Sequence, residues 1–350
     1  MMKDNVTIYD IAKKTGLSVA TVSCVMNGRS NVSLKTSAVV TGAMKELGYT
    51  PPPPGKRRGM RSSLKKDKHL NIALLFAGIT GAVFNEPVYM DVINGVKSAL
   101  FKNGSYLSLC SSELNRDSVG NVIPPGSDGV LVFGAPARKM LSELRRFPCV
   151  QLMGRIDEDE SWDHVTYNNS SVGRLAADYL ISRGFMNCAF IGDKRESGSL
   201  SGERGAAFAD AMAKAGGKTR FFSADNIIIK TAEKHEIEHE VVRKVFEEIT
   251  RDKSIKAVFT FSDMLANAIY PLMLVKGLTI GKEMELVSCN NETAYLINMN
   301  PKPVEIDIHA GKIGYKAVDQ LLWRIKNPSE PVVKSIMEPA LIVPERTGGR

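Results

Sequence analysis

The sequence predicts an all-α head followed by an α/β body of two lobes, each built on a doubly wound parallel sheet. Three observations support this fold class. The 350 residues are enough for two or three domains. Residues 1–50 contain capped segments with a helical spacing of apolar residues, and residues 51–69 form a Pro-rich basic linker. Residues 70–347 alternate β-rich apolar runs with amphipathic stretches.

The net positive charge of the chain comes from its first 68 residues. This segment holds 13 Lys or Arg and four Asp or Glu, so its net charge is +9, whereas the whole chain carries +8. A basic head on a near-neutral body predicts a polyanionic partner such as DNA. The alternative is a solvated basic tail without a specific partner.

Capping residues mark three short helices in the head. The candidate caps are Thr7 with Asp10, Ser18 and Ser33, and the helices that follow them span 8–15, 19–26 and 34–47. Gly16 ends the first helix, and the short turn to Ser18 predicts a helix-turn-helix whose second helix enters the major groove of DNA. The predicted core consists of Ile8, Ile11, Ala12, Val22, Val25, Val39, Val40, Met44 and Leu47.

The segments VTIYDIAKKTGLSVATVSCVMNG, NVSLKT and MKELGYTP resemble the DNA-binding head of the lac-repressor (LacI/GalR) family. The resemblance implies a sequence-specific transcriptional regulator, most often a repressor, that binds double-stranded operator DNA. The alternative is a three-helix bundle used for protein contacts. The residues expected to contact DNA are Thr7, Ser18, Val19, Ala20, Thr21, Ser23, Cys24, Asn27 and Arg29.

Cys24 departs from the family pattern SxATVSRVLN, which has an arginine at this position that contacts a guanine. A thiol cannot form the bidentate contact of an arginine with guanine, which contributes ~1–3 kcal/mol of discrimination. Val19 and Ala20 suit the methyl groups of thymine. We therefore expect a more A·T-rich half-site than the family usually reads.

The linker TPPPPGKRRGMRSSLKKDKH also departs from the family, which continues here into a hinge helix with a leucine wedge. Pro51–Pro54 cannot form a helix, and Arg58 stands about where the leucine is expected. One hypothesis is a minor-groove arm made of Lys56, Arg57 and Arg58. The other is a passive linker that makes nonspecific phosphate contacts. Either linker predicts coupling between effector and DNA at the low end of ~1–3 kcal/mol.

The body contains apolar strand-like runs separated by amphipathic helix-like stretches, which predicts parallel sheets covered on both faces. The predicted strands span 71–77, 106–110, 129–133, 149–153, 187–191, 257–261 and 285–289. The predicted helices span 90–103, 172–183, 203–215, 233–250, 264–276 and 311–325. In such folds a ligand binds in the crevice at the carboxyl ends of the strands.

Several body segments resemble the periplasmic-binding-protein-like sensor of the same family. They are FNEPVYMDVINGV, VQLMGR, NNSSVGRLAADYL, ERGAAFADAMAKAG and FSDMLANAIYPLMLVKGLTIGKEMELVSCNNE. The resemblance implies two lobes joined by three crossovers, with lobe 1 at about 70–167 and 297–325 and lobe 2 at about 168–296 and 326–345. It also implies a small sugar-like effector between the lobes.

The expected effector-binding residues combine hydroxyl-binding amides and acids, arginines and aromatic rings that stack on a sugar face. They are Asn85, Tyr89, Arg155, Trp162, Asn169, Arg204, Asp263 and Asn290. Asn168, Ser288 and Asn290 depart from the family's more acidic or glycine-containing motifs, DN and GfDd. The loss of acids predicts tolerance of an anionic ligand such as a sugar acid or sugar phosphate.

Other functions have weaker support in the sequence. The segment 235–239 fits HExxH and would bind zinc on a helix, but no third-ligand signature follows, so we expect no enzyme and no cofactor. The five cysteines lack metal spacing, and no secretory leader or membrane segment is apparent, so we expect a cytoplasmic protein and not a secreted sugar transporter. A regulator controlled by a partner protein remains an alternative. We expect a homodimer, because no heptad tail follows the last strand-like run.

Overall fold

The computed structural model describes residues 6–26, 32–50, 69–79, 86–112, 118–154, 162–193, 199–224, 227–230 and 235–346. The chain divides into two compact units, the head within residues 1–68 and the body within residues 69–350. Several expected site residues lie outside the described residues: Asn27, Arg29, Lys56, Arg57, Arg58, Asn85 and Arg155.

The head contains the three predicted helices, α1 (Ile8–Thr15), α2 (Val19–Met26) and α3 (Leu34–Glu46). The backbone N–H of Thr7 donates to Asp10 at 2.7 Å, and the hydroxyls of Ser18 and Ser33 accept the N–H groups of Thr21 and Thr36. These bonds satisfy N–H groups that have no partner within the helix. α1 ends at Gly16, whose φ of 69° lies in the left-handed region that glycine adopts without strain.

The core of the head is small and lies where the three helices meet. Ile11, Val22 and Val40 are fully buried, with Ala12 and Ala43 almost so. Val39 was expected in this core but is 49% exposed, because it lies on the outer face of α3 beside the buried Val40.

The body contains nine helices and 14 strands within the described residues. In chain order they are β1 (Asn71–Ala77), α4 (Pro87–Lys102), β2 (Tyr106–Ser112), α5 (Val119–Val122), β3 (Gly129–Gly134), α6 (Arg138–Leu144), β4 (Cys149–Leu152), β5 (Asp163–Tyr167), α7 (Asn169–Ser182), β6 (Asn187–Gly192), α8 (Leu200–Lys214), β7 (Lys218–Ser223), β8 (Ile228–Lys230), β9 (His235–Ile237), α9 (His239–Arg251), β10 (Ala257–Thr260), α10 (Asp263–Val275), β11 (Glu285–Cys289), α11 (Thr293–Leu296), β12 (Val304–Asp307), α12 (Ala310–Lys326), β13 (Lys334–Met337) and β14 (Ala340–Ile342).

Two six-stranded sheets form the lobes, as the alternation of strands and helices predicts. The sheet of lobe 1 has the order β13-β5-β4-β3-β1-β2, and the sheet of lobe 2 has the order β14-β12-β11-β10-β6-β7. All neighbours are parallel except β14, which is antiparallel to β12. The chain crosses between the lobes after β5, after β12 and after β13.

Two strands lie in the other lobe from the one expected. β12 was expected in lobe 1 but pairs with β11 of lobe 2, with Val304 opposite Val287. β13 was expected in lobe 2 but pairs with β5 of lobe 1, with Lys334 opposite His164. The crossovers therefore follow Asp307 and Met337, because strand pairing decides the lobe to which each segment belongs.

The segment that fits HExxH does not lie on one helix, as a zinc site of that type needs. His235 belongs to β9, which pairs with β8 in a two-stranded hairpin, and α9 begins only at His239. No group of three His, Cys, Asp or Glu side chains among the described residues is placed to hold a metal ion. The expected helix over 233–250 is thus wrong in its first turns.

The burial of the sheets in the body explains why the sequences of its strands are unbroken apolar runs. Six of the seven residues of β1 are buried, because helices cover both faces of the sheet. Helices α4 and α12 pack closely at Gly95, where an added Cβ would lie 1.9 Å from the carbonyl oxygen of Gly311. Among the helices that the structure describes, none is long and apolar enough to cross a bilayer.

Candidate functional site

The outer face of α2 is the candidate DNA-reading surface of the head. Val22 is fully buried against α1 and α3, so the opposite face of the helix is turned outward. Ser18 and Ala20 are exposed, whereas Thr21, Ser23 and Cys24 are half-buried. The face is therefore uncharged and rich in hydroxyl groups, and the N-terminus of the helix dipole adds partial positive charge at Ser18.

Basic side chains surround this surface rather than occupy it. α2 contains no charged residue, and the cations of the described head lie on the neighbouring helices. Lys14 is paired with Glu46 at 2.5 Å, whereas Lys13, Lys35 and Lys45 are exposed. This arrangement suits phosphate contacts from the flanking helices and base contacts from α2.

The candidate effector site lies where the carboxyl ends of both sheets face each other. At its centre is Arg204 of α8, which is only 4% exposed. Its Nε donates to Asn169 Oδ1 at 2.7 Å, and its Nη2 donates to the hydroxyl of Tyr167 at 2.8 Å. Its Nη1 donates to the carbonyl oxygen of Phe261 at 2.5 Å and contacts Cys289 Sγ at 2.8 Å. Arg204 therefore fixes side chains and backbone from both lobes.

Three acidic side chains lie behind Arg204 in lobe 2. The hydroxyl of Ser288 donates to Asp263 and lies 3.0 Å from a carboxyl oxygen of Glu305, and the backbone N–H of Glu292 donates to Asp263 at 2.6 Å. Burial raises the pKa of both Asp263 and Glu305, and the charge of Asp263 raises the pKa of Glu305 further. The two neighbouring carboxyl groups therefore disfavour double ionisation, and Asp263 is the one whose charge Arg204 stabilises.

Glu292 lies at the boundary of the two lobes and is 2% exposed. Burial and, secondly, the charge of Asp263 raise the pKa of Glu292 to about 8. Across the boundary, the ring of Tyr89 lies 4.8 Å from that of Phe133, and burial raises the pKa of the Tyr89 hydroxyl. Lobe 1 thus presents an aromatic surface to the polar surface of lobe 2.

A cavity of about 360 Å³ opens beside Asn169, between the two lobes. Its lining combines amides, hydroxyls, one carboxylate and apolar groups, namely Gly154, Thr166, Tyr167 and Ile336 from lobe 1 and Asn168, Asn169, Leu200 and Glu203 from lobe 2. This volume is at the lower end of the range typical of small-molecule sites. The cavity is therefore the candidate space for a monosaccharide-sized ligand.

The structure brings together most of the described residues that were expected to bind the effector. Asn169, Arg204 and Asn290 form one cluster with Asp263 just behind it, and Tyr89 faces this cluster from lobe 1. Trp162 does not join them. It precedes β5 at the opposite, amino edge of the lobe 1 sheet, where it is buried and its ring N–H donates to Gln151.

Several polar residues of the site were not predicted from the sequence, among them Tyr167, Glu292 and Glu305. Tyr167 ends β5 and Glu305 lies within β12, two short strands that the apolar pattern did not reveal. An acidic residue within a short apolar run, as in VEID, is the signal that could have found Glu305, because buried acids need partners.

Comparison with known proteins gives matches over both units. Residues 7–52 match the family of bacterial regulatory proteins of the lacI type, and residues 177–345 match the periplasmic binding protein-like domain. The HTH-type transcriptional repressor PurR of Vibrio parahaemolyticus is 28% identical over 349 residues, which cover 96% of this chain and 97% of that protein.

Solved structures agree with this fold over nearly the whole chain. The transcriptional regulator CelR in complex with cellobiose superposes with a TM-score of 0.62 at 23% identity, and the comparison covers 97% of this chain and 98% of CelR. The lac repressor dimer bound to operator and the anti-inducer ONPF gives a TM-score of 0.63 at 18% identity, with coverage of 97% and 98%. At these identities the likeness shows the fold alone.

A helix-turn-helix head joined to a two-lobed, periplasmic-binding-protein-like body defines a class of transcriptional regulators with a ligand-binding domain. The chain has the DNA-binding domain of the lacI family of bacterial regulatory proteins and a periplasmic binding protein-like domain. The resemblance and the fold class predicted from the sequence are both confirmed.

Proposed function

We propose that the protein is a homodimeric repressor whose affinity for operator DNA is controlled by a small, neutral, polyhydroxylated effector. The observation that carries the proposal is the 360 Å³ cavity between the lobes, at the carboxyl ends of the strands, in a chain that begins with a helix-turn-helix. Effectors of this kind shift DNA affinity by binding one arrangement of the lobes better than another.

The lining of the cavity favours a neutral sugar over the anionic ligand expected from the sequence. Thr166, Asn168 and Asn169 line the cavity with one hydroxyl and two amide groups, which are of the type that binds sugar hydroxyls, and Glu203 adds a carboxylate that would repel an anion. Arg204 is already bonded to several protein groups. An anionic effector would therefore depend on Arg155, which lies outside the described residues.

Exposed apolar side chains support the homodimer. Lobe 2 exposes Val275 at 86% and Ile297 at 64%, and lobe 1 exposes Phe101 at 87%. Tyr106 and Leu109 on the edge strand β2 are also exposed. A partner that covered these side chains would remove their apolar surface from water. A second copy of the chain is the simplest partner, because two heads on two half-sites require two protomers.

The DNA-binding part of the proposal rests on α2 and its apolar or hydroxyl-bearing face. Cys24 leaves the site without the arginine that would select guanine, so we propose an A·T-leaning, near-palindromic operator. Whether Lys56, Arg57 and Arg58 add a minor-groove arm is tested by changing Arg57 and Arg58 to Ala. A minor-groove arm predicts selective loss of A·T-rich sites, whereas a passive linker predicts uniform weakening.

The test begins with selection of bound sequences from a random DNA library by the full-length protein, followed by anisotropy titrations of the selected operator. Neutral mono- and disaccharides, sugar acids and sugar phosphates are then added in turn. We expect a neutral sugar to change operator affinity and Asn169→Ala to abolish its effect. Asn121→Ala, at an exposed asparagine of α5, is the matched control.

The outcomes separate the competing functions. A response to sugar acids or phosphates alone would contradict the neutral effector. No response to any small molecule, with intact operator binding, would favour control by a partner protein. Failure to select any DNA consensus would contradict the repressor itself.

A further inference from the structure

The two lobes touch at a second place besides the crossover segments. Glu292, which follows β11 of lobe 2, accepts the backbone N–H of Val88 in the first turn of α4 at 3.1 Å. The hydroxyl of Tyr295 on α11 donates to Glu86, the N-cap residue of α4, at 2.9 Å. We call these four residues, Glu86, Val88, Glu292 and Tyr295, the latch. Both of its carboxyl groups are buried, with Glu86 8% and Glu292 2% exposed.

Lobe 2 holds its half of the latch in a fixed position. Asp263 accepts the backbone N–H of Glu292 at 2.6 Å, and Asn290 donates its amide to Glu292 Oε2 at 3.0 Å. Asn291 has a φ of 63°, which asparagine tolerates, but Asn290 has a φ of 109°, which is rare for a residue with a side chain. A strained loop of this kind persists only where its surroundings determine it. The hydrogen bonds that Asp263 and Asn290 make to Glu292 hold this loop in place.

The latch also supplies a hydrogen-bond acceptor for a backbone N–H of lobe 1. Val88 is the second residue of α4, so its N–H has no acceptor within the helix. Glu292 provides this acceptor from the other lobe. Opening the lobes would therefore expose the N–H of Val88 as well as separate Tyr295 from Glu86.

A second contact of the same kind lies deeper in the cleft. Arg204 of lobe 2 donates to the hydroxyl of Tyr167 of lobe 1. The buried apolar residues around it form one continuous core that includes Phe76 of lobe 1 and Phe190 of lobe 2. The contact between the two lobes thus consists of hydrogen bonds and apolar contacts that the protein itself supplies.

We propose that the latch holds the two lobes closed in the absence of effector, so that the effector acts on a body that is already closed. The inference concerns the regulation of the cleft for which a sugar effector is proposed, and rests on that proposal only for its regulatory meaning. The latch itself is a property of the chain and is measurable without any ligand.

The experiment measures amide hydrogen exchange at Val88 in the full-length, ligand-free protein, by mass spectrometry with single-residue fragmentation. We compare the wild type with Tyr295→Phe, which removes the hydroxyl that reaches Glu86 and leaves Val88 untouched. Tyr270→Phe is the matched control, because the Tyr270 hydroxyl donates to the carbonyl oxygen of Asn300 within lobe 2. Protection of the β1 amides in the same data shows that each variant is folded.

We expect the Val88 amide to be protected in the wild type and in Tyr270→Phe. In Tyr295→Phe its exchange should be roughly fivefold faster, the change in an equilibrium constant expected when one hydrogen bond is lost. An unprotected Val88 in the wild type, or an unchanged rate in Tyr295→Phe, would overturn the proposal. Neither result depends on a sugar: protection of Val88 stands if no sugar binds, and sugar binding stands if Val88 is unprotected.

Discussion

Replacing Arg204 by methionine is the perturbation whose consequence follows most directly from the structure. Methionine preserves much of the length and apolar volume of the side chain but donates no hydrogen bond. The substitution would leave the side-chain oxygen of Asn169, the hydroxyl of Tyr167 and the carbonyl oxygen of Phe261 without this donor. It would also leave the buried Asp263 without its neighbouring cation.

The magnitude follows from the burial of the group, since Arg204 is 4% exposed. Removing one partner from a buried, charged network costs about 3–5 kcal/mol. For domains of about 150–250 residues, 1 kcal/mol lowers the melting temperature by roughly 2–4 °C. We therefore expect Arg204→Met to lower the melting temperature of the body by roughly 10 °C.

Tryptophan fluorescence is the suitable assay because both tryptophans, Trp162 and Trp323, belong to the body. Thermal unfolding followed by their emission reports on the body and not on the head. Arg243→Met is the matched control, because Arg243 forms its ion pairs with Glu240 and Glu247 on the exposed surface of α9. Equal melting temperatures for the wild type and Arg204→Met would refute the reasoning, since they would show that the hydrogen bonds and charge of Arg204 do not stabilise the folded body.

Three further predictions concern protonation, packing and base readout. The pKa of Glu292 is higher in the folded protein, at about 8, than its ordinary value of 4.5, so the body should lose stability as the pH rises through this range. In Glu292→Gln the melting temperature should depend less on pH over the same range. Gly95→Ala places a Cβ 1.9 Å from the carbonyl oxygen of Gly311 and should cost about 1–3 kcal/mol in urea unfolding; Gly120→Ala, with no contact closer than 3.9 Å, should not. Cys24→Arg should move the selected operator toward guanine at one position of each half-site, and an unchanged consensus would contradict our interpretation of α2.

Local chemistry made the head largely predictable. The serines at 18 and 33 accept the backbone N–H groups that a capping side chain is expected to accept, and the three helices begin where these residues predict. Val39 was misplaced because Val39 and Val40 are adjacent on one helix and cannot both face the same core. Periodicity predicts which stripe of a helix is buried, but adjacent apolar residues at its edge remain ambiguous.

Long-range pairing limited what could be predicted of the body. β12 and β13 are short, and each joins its sheet by pairing with a strand that precedes it, in the case of β13 and β5 by more than 160 residues. No local pattern records such a partner. For the same reason Trp162 was assigned to the site by its chemistry, although β5 places it at the wrong edge of the sheet.

Only part of the polar cluster in the cleft could be predicted from the sequence. The residues that were not predicted change the interpretation of the cluster. Arg204 and Asp263 were identified as groups for a ligand, and the sequence offered no sign that Tyr167 would already accept a hydrogen bond from Arg204. The departures from the family's acidic motifs suggested a less negative site. Glu292 and Glu305 restore acidic groups nearby from positions that those motifs do not include.

Because the lobes are already closed without a ligand, the effector should change the affinity for operator DNA only modestly. A ligand shifts an equilibrium only by its different affinity for the two states, and it gains little where the favoured state is already populated. The latch and the Pro-rich linker therefore both predict a modest effect, at the low end of ~1–3 kcal/mol, and thus well under a hundredfold in operator affinity.

Measuring operator affinity with and without a saturating effector, in the wild type and in Tyr295→Phe, tests this argument. If the latch keeps the wild type closed, Tyr295→Phe should show the larger response, because the effector then supplies closure that the protein has lost. Tyr270→Phe should respond like the wild type, since its hydrogen bond lies within lobe 2. A response far above a hundredfold in the wild type, or one that Tyr295→Phe leaves unchanged, would mean that closure is not the step that the effector controls.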